Sequence, residues 1–149
     1  MAPSDRVCND CRRSHGGCPA RCVEECVHVK NEEERMDVRK MLYIAGPYTH
    51  PDPVVNTHRA ARVGTIVYEQ TEWVPFVPHL SLLWHMVTPR EESHWYELDL
   101  HQMGHCDAIV RLPGASTGAD REMVVAAELG LAVVDFADLP EEAQAAWMK

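Results

Sequence analysis

From Met41 onward, short apolar runs alternate with segments of helical periodicity. The strand-like runs are MLYIA (41–45), WVPFV (73–77), DAIVRL (107–112) and AVVDF (132–136). The segments with helical periodicity are 53–70, 92–106 and 119–131, whereas residues 78–91, rich in His and Pro, are predicted to be a loop. Such alternation is typical of a parallel sheet covered by helices on both faces. We therefore expect a Rossmann-like, flavodoxin-like α/β domain.

The cysteines are concentrated at the start of the chain. Five of the six lie in the first 26 residues, where Cys8-x-x-Cys11 is followed by Cys18-x3-Cys22. Thiolates at this spacing can converge on one tetrahedral ion, and a reducing compartment favours such a site over disulfides. We expect a small Cys-rich appendage that holds a structural zinc ion through Cys8, Cys11, Cys18 and Cys22. A fifth cysteine and His15 leave another ligand set, or a set of free thiols, as alternatives.

Charge is divided at the same place. Residues 1–40 carry eight basic and eight acidic side chains, whereas residues 41–149 carry six basic and fifteen acidic ones, which accounts for the formal net charge of −9. Nucleic-acid polymers are bound by cationic faces, so we expect no such partner for the main domain. Residues 19–40 have the composition of a charged helix. They would link the appendage, residues 1–40, to the main domain at 41–149.

The sequence carries no evident targeting or membrane segment. No run of about 18 apolar residues is present, and the N-terminal MAPSDRVCND lacks the apolar stretch of a signal peptide. We therefore expect a cytoplasmic protein without a membrane partner.

Two loops follow neighbouring strands of the predicted sheet. GPYT (46–49) comes after the first strand-like run, and RLPG (111–114) closes the third and leads into a small-residue loop before the next helix. Ligands of open parallel sheets bind beyond the carboxyl ends of the strands. These loops are therefore predicted to share one crevice.

Three motifs in this part of the chain resemble a known family. They are YIAGPYT (43–49), WYELDLHQMGHCDAIV (95–110) and STGADREM (116–123). Together they resemble the nucleoside 2-deoxyribosyltransferase-like superfamily, which includes nucleoside 5′-monophosphate N-glycosidases. The resemblance covers about residues 41–135. It implies cleavage, or transfer, at the bond between a nucleobase and C1′ of its sugar.

The resemblance also implies roles for individual residues. Glu122 matches the family's carboxylate at C1′, Asp99 matches an active-site Asp that contacts the sugar or the departing base, and Tyr43 matches a strand tyrosine that orients the nucleophile. Ser116 matches a phosphate-contacting serine of the monophosphate hydrolases. Relatives commonly pair, so a homodimer or a higher homo-oligomer is implied as well.

The chemistry of the residues agrees with these roles. Cleavage of an N-glycosidic bond builds positive charge at C1′, which a carboxylate can stabilise or attack while a second acid helps the base to depart. Glu122 is expected in the first turn of its helix, where the helix dipole favours the ionised carboxylate. The alternatives are a surface glutamate that complements the dipole, an Asp99 on a solvated helix face, and a Tyr43 that fills the sheet.

The loop before the predicted helix suits a phosphate group. Ser116, Thr117 and the amides around Gly118 precede a helix N-terminus, where unpaired N–H groups and the dipole favour an anion. In the hydrolases a hydroxyl residue often follows the glycine that matches Gly46, whereas this chain has a proline there, which leaves Thr49 to supply the hydroxyl.

Alternatives remain open at this loop. Ser116 or Thr117 could instead only cap the helix. The nearest basic residues are Arg111 and Arg121, and either could pair with a phosphate or with surface acids.

The base pocket is expected in the segment after the second strand. This segment places His79, Trp84 and His85 where relatives build part of the nucleobase site, and an aromatic ring there could stack on a base. A metal site formed by His79, His85 and His94 is conceivable, but no ligand spacing requires it.

The predicted function is hydrolysis of the N-glycosidic bond of a nucleoside 5′-monophosphate or nucleoside, without a catalytic cofactor. Two alternatives remain. A deoxyribosyltransferase would use the same residues and let an acceptor base, rather than water, capture the sugar. An inactive nucleotide sensor would use the crevice for binding alone, which intact Glu122 and Asp99 argue against.

Overall fold

The computed structural model describes residues 39–149. The predicted zinc ligands Cys8, Cys11, Cys18 and Cys22 lie outside the described residues, as does the predicted linker helix up to residue 38. The strands are β1 (Met41–Ala45), β2 (Val74–Phe76), β3 (Ala108–Arg111) and β4 (Ala132–Val134). The helices are α1 (Pro53–Gln70), α2 (Ser81–Val87), α3 (Glu92–Met103), α4 (Thr117–Glu128) and α5 (Glu141–Met148), and short 3-10 turns span Pro78–Leu80 and Phe136–Asp138.

The four strands form one parallel sheet in the order β2-β1-β3-β4. This is the flavodoxin-like order without a fifth strand, so the predicted fold class is confirmed for the described residues. In the central strands β1 and β3, nearly every residue is buried. That is typical of a parallel sheet covered on both faces.

Two hydrophobic clusters lie on opposite faces of the sheet, because successive side chains of a strand point in opposite directions. Leu42 and Ile44 of β1 face α1 and α5, where they pack with residues such as Val63 and Trp147. Tyr43 and Ala45 face α3 and α4. Tyr43, the tyrosine predicted to orient Glu122, therefore lies on the face under α3 and α4.

Local signals set the ends of the two long helices. Asp52 caps α1, because its carboxylate accepts hydrogen bonds from the N–H groups of Val54 and Val55, and Pro53 occupies the first turn. Ser116 caps α4 in the same way, accepting from the N–H of Ala119. Gly130, with φ of +74°, follows the end of α4 in the left-handed conformation that favours glycine.

The structure differs from the sequence prediction in three elements. Residues 78–91 are not simply a loop, because they contain the helix α2, which has no buried residue. The C-terminal helix α5 was not predicted, although Ala143 and Trp147 bury its inner face. Helix α4 begins at Thr117 rather than Ala119, because Ser116 supplies the cap.

Two residues assigned to the linker belong to the folded domain. The guanidinium of Arg39 donates hydrogen bonds to the carbonyls of Tyr68, Thr71 and Trp73, at 2.7–3.0 Å, and lies 4.6 Å from the centroid of the Tyr68 ring. The carbonyl of Lys40 accepts from the N–H of Val74. Arg39 thus holds the end of α1 against the start of β2. Within residues 39–149, no helix is both long and apolar enough to cross a bilayer.

We predict that Arg39→Ala lowers the free energy of unfolding by about 1–2 kcal/mol, because several carbonyls at the end of α1 lose a charged donor. Urea denaturation of the full chain measures the change. Arg62→Ala is the matched control, since Arg62 is exposed on the same helix and should change stability by less than about 0.5 kcal/mol. Equal effects of the two substitutions would contradict the assigned role.

Candidate active site

The candidate site lies where the chain leaves the sheet in two opposite directions. Strands β1 and β3 are neighbours, but β1 connects to β2 on one side and β3 to β4 on the other, so a crevice opens at their carboxyl ends. The loops that follow them meet there. A Cβ atom on Gly114, whose φ is +119°, would lie 2.9 Å from the Pro47 ring. A glycine is therefore required at this approach.

A cavity of about 530 Å³ occupies this crevice. It collects most of the residues that the sequence predicted for the site. Those that line it are Gly46, Thr49, His79, His85, Asp99, Ser116, Thr117, Gly118 and Glu122. Tyr43 lies beneath the cavity, fully buried in the sheet. The predicted residues of three separate motifs are thus brought together in one place.

Glu122 and Tyr43 form the floor of the site. The Tyr43 hydroxyl donates a hydrogen bond of 2.8 Å to Oε1 of Glu122, joining β1 to α4. Glu122 is only 8% exposed. Burial and the neighbouring Glu122 and Asp99 carboxylates raise the pKa of Tyr43 far above its usual range, so the phenol keeps its proton and stays a donor.

Asp99 of α3 is the second carboxyl group of the cavity. Burial, followed by the negative charge of Glu122, raises the pKa of Asp99 to about 7. Ionised Glu122 therefore favours the protonated form of Asp99.

The expected effect of the helix dipole on Glu122 was wrong. Because α4 begins at Thr117, Glu122 is its sixth residue and lies in the second turn, beyond the reach of the dipole. Burial raises the pKa of Glu122 to about 7, while the Tyr43 hydrogen bond and the charge of Arg111 oppose this rise. The environment of Glu122 is thus set by desolvation rather than by the helix end.

The first turn of α4 closes one end of the cavity. Ser116 Oγ accepts a hydrogen bond of 3.2 Å from the N–H of Ala119, so Ser116 caps α4, which is one of its predicted roles. This bond leaves the hydroxyl hydrogen of Ser116 available to a ligand. Within the described part of the chain, the N–H groups of Thr117 and Gly118 have no backbone partner. These three donors can bind an anion in the cavity.

Arg111 takes a different place from the predicted one. Its guanidinium forms an ion pair of 2.9 Å with Asp120 and donates to the carbonyls of Leu112 and Gly114. It is not among the described residues that line the cavity. Arg111 therefore braces the loop between β3 and α4, and it acts on the site through its charge.

The two predicted base-pocket histidines are in different surroundings. His79 is 3% exposed, and its Nε2 lies 3.0 Å from the carbonyl oxygen of Pro47. A carbonyl can only accept, so Nε2 carries the proton, and burial lowers the pKa of the ring and keeps it neutral. His79 thus anchors the loop after β1. His85 instead accepts a hydrogen bond from the indole N–H of Trp95.

The other predicted aromatic residue lies elsewhere. Trp84 lines an adjoining cavity of about 690 Å³, which shares Pro78, Ser81 and Asp99 with the first cavity. Among residues 39–149, no three His, Cys, Asp or Glu side chains are clustered so that they could hold a metal ion. The conceivable site of His79, His85 and His94 is therefore not assembled.

Sequence reasoning missed several residues of the cavity wall. Trp95 and Tyr96 line it from α3, four and three residues before Asp99, and Tyr48 and Arg90 line it from loops. Helical spacing carried the signal for the first two, since residues three and four apart share a face. The two loop residues had no comparable signal.

Comparison of the chain with family models, curated proteins and solved structures finds no match.

We predict that the domain loses stability as the pH rises through neutrality. The pKa of Glu122 is about 7 in the folded chain against an ordinary 4.5, so between these values the folded chain holds a proton that the unfolded chain has released. The stabilisation that this proton provides is therefore complete below the unfolded pKa of 4.5, and it is lost as the pH passes the folded pKa of about 7. The glutamine of the Glu122→Gln variant cannot ionise. This variant should therefore be more stable than the wild type at alkaline pH, by on the order of 2 kcal/mol.

Urea denaturation at acidic and alkaline pH tests this prediction. Glu128→Gln is the matched control, because Glu128 is exposed on the same helix. If the Glu122→Gln chain shows the same pH dependence as the wild type, Glu122 does not carry the buried proton.

Proposed function

We propose that this chain hydrolyses the N-glycosidic bond of a nucleoside 5′-monophosphate. The observation that carries the proposal is one cavity with two different ends. Its floor holds the carboxyl groups of buried Glu122 and partly buried Asp99, and its rim holds the donors of Ser116, Thr117 and Gly118. A sugar 5-phosphate has the matching polarity, since its phosphate is an anion and its C1′ becomes cationic during cleavage.

In the first step, the C1′–N bond breaks as an oxygen of ionised Glu122 attacks C1′ or stabilises the positive charge there. Protonated Asp99 gives its proton to the departing base. The Tyr43 hydroxyl holds one carboxylate oxygen at 2.8 Å and so orients the other toward the substrate. Because the phenol stays protonated, it remains a donor throughout.

In the second step, water replaces Glu122 at C1′. Asp99, now ionised, accepts a proton from the water, whose oxygen forms the new bond to C1′ while the Glu122 carboxylate is released. The pair is then back in its starting state, with one proton on Asp99. The same residues could instead deliver the sugar to a free base, which the experiment below distinguishes.

The carboxyl pair also supports an enzyme over a binding module. Two carboxyl groups whose pKa values are raised to about 7 by desolvation cost stability at neutral pH, and a nucleotide sensor has no need of that cost. General acid catalysis, in contrast, requires an acid whose pKa lies near the working pH.

We predict that Glu122→Gln lowers the rate of base release by at least about a thousandfold, because the charge that stabilises the transition state is lost. Incubation with a panel of nucleoside monophosphates, followed by chromatography of the released base, measures the rate. Glu128→Gln should retain full activity. Product analysis with an added free base reveals any transfer. Near-full activity of Glu122→Gln would refute the proposal.

We predict that Ser116→Asp abolishes the preference for a 5′-phosphate. Aspartate is as good an N-cap as serine, so α4 keeps its start, but a second negative charge then faces the phosphate. The ratio of kcat/KM for a nucleotide to that for its nucleoside should fall by at least about tenfold. Ser116→Gly, which costs little as a cap, should lower the same ratio to a smaller extent. Equal losses on both substrates would show that Ser116 only shapes the helix end.

A further inference from the structure

One wall of the cavity contains a pair of aromatic side chains joined by a hydrogen bond. The indole Nε1–H of Trp95, on α3, lies 2.8 Å from Nδ1 of His85, on α2. Both residues line the cavity. The pair therefore connects the two helices that form this wall.

The chemistry of the pair fixes the proton on His85. An indole N–H can only donate, so Nδ1 of His85 must be the acceptor and cannot carry a proton. In the neutral ring the proton is then on Nε2. This nitrogen makes no hydrogen bond to another residue within 39–149, so it remains for a ligand. His85 thus contributes an N–H donor to the wall, because Trp95 fixes its tautomer.

Trp95 is itself held in place. Its ring has edge contacts with the rings of Trp84, His85 and His94, at centroid distances of 5.4, 5.7 and 5.1 Å. Contacts of this kind favour one orientation of the indole. Trp95 is therefore a positioning residue that acts through His85.

Several other polar groups on the cavity wall discriminate less. The hydroxyl groups of Tyr48, Thr49 and Ser81 can donate or accept, so they adapt to either partner. The Nε2–H of His79 is engaged by the carbonyl of Pro47. Arg90 can only donate, but its side chain is exposed and flexible, so it can reach acceptors at several positions of a ligand.

We infer that the Nε2–H of His85 selects a nucleobase that carries an exocyclic carbonyl, as in hypoxanthine or uracil, over one that has an amino group at the same position. A carbonyl oxygen accepts a hydrogen bond from the Nε2–H of His85. An amino group is itself a donor, so it leaves this N–H without an acceptor. The inference rests on the proposed function for the identity of the ligand as a nucleotide. It adds the class of base and the residue that sets it.

The first test observes the proton directly. Long-range ¹H–¹⁵N spectra of the full chain at a pH of about 8, where an ordinary histidine is neutral, distinguish the two tautomers. Comparison with His85→Phe assigns the signals. We expect His85 to carry its proton on Nε2 in the wild type and to show a mixture of tautomers in Trp95→Phe. A wild-type proton on Nδ1 would overturn the inference.

The second test measures selectivity by calorimetry. The probes are inosine and adenosine 5′-monophosphates, in ribose and 2′-deoxyribose forms, with Glu122→Gln as the background so that no probe is cleaved. The inosine form should bind about tenfold more tightly, the value of one hydrogen bond gained against one donor left unpaired. Adding Trp95→Phe or His85→Phe should bring the ratio close to one. Adding Arg90→Gln should weaken both probes and leave the ratio unchanged.

The two proposals fail in different ways. Equal binding of the two probes, or a ratio that survives both aromatic substitutions, overturns the role of His85. Selective binding without any base release by the wild type leaves that role standing and overturns the hydrolase. Failure of all four probes to bind overturns the inference as stated. Thermal denaturation of each variant confirms that a lost ratio does not reflect unfolding.

Discussion

Burial of the Glu122 carboxyl group is the constraint on which the rest of the site depends. A carboxyl group that is 8% exposed must be hydrogen bonded or neutral, because isolated buried charge is costly. Tyr43 supplies the hydrogen bond from the neighbouring strand. Its ring is fully buried between β1 and the helices above it, so it cannot shift to follow the carboxyl group. The strand therefore determines where the carboxyl oxygen points.

The sequence was sufficient for the parallel sheet, and most of the predicted site residues meet in the cavity. Alternation of apolar runs and helical segments predicts a parallel sheet, and strand ends then define the crevice. The bounds of α1 were predicted correctly from the helical spacing of its apolar residues, and the cap of Asp52 with Pro53 agrees with that start. The start of α4 was placed two residues late, although capping by Ser116 had been left open as an alternative. That shift removed the dipole argument for Glu122.

What the sequence could not supply depends on contacts between distant residues. Arg111 and Asp120 pair only because the loop between them folds back, and the partner of Trp95 lies on another helix, ten residues away. Helix α2 buries none of its residues, so its apolar side chains gave no amphipathic period from which it could be predicted. The raised pKa values of Glu122 and Asp99 likewise follow from their joint burial, which no local pattern records.

The surroundings of the two carboxyl groups bear on the roles proposed for them. Both have a pKa of about 7, but the influences on them differ. Burial raises the pKa of both groups. The Tyr43 hydrogen bond and the Arg111 charge oppose this rise at Glu122, whereas the charge of Glu122 adds to it at Asp99. When the pair holds one proton, that proton therefore belongs on Asp99. This difference matches the roles of carboxylate and acid in the proposed glycosidic cleavage.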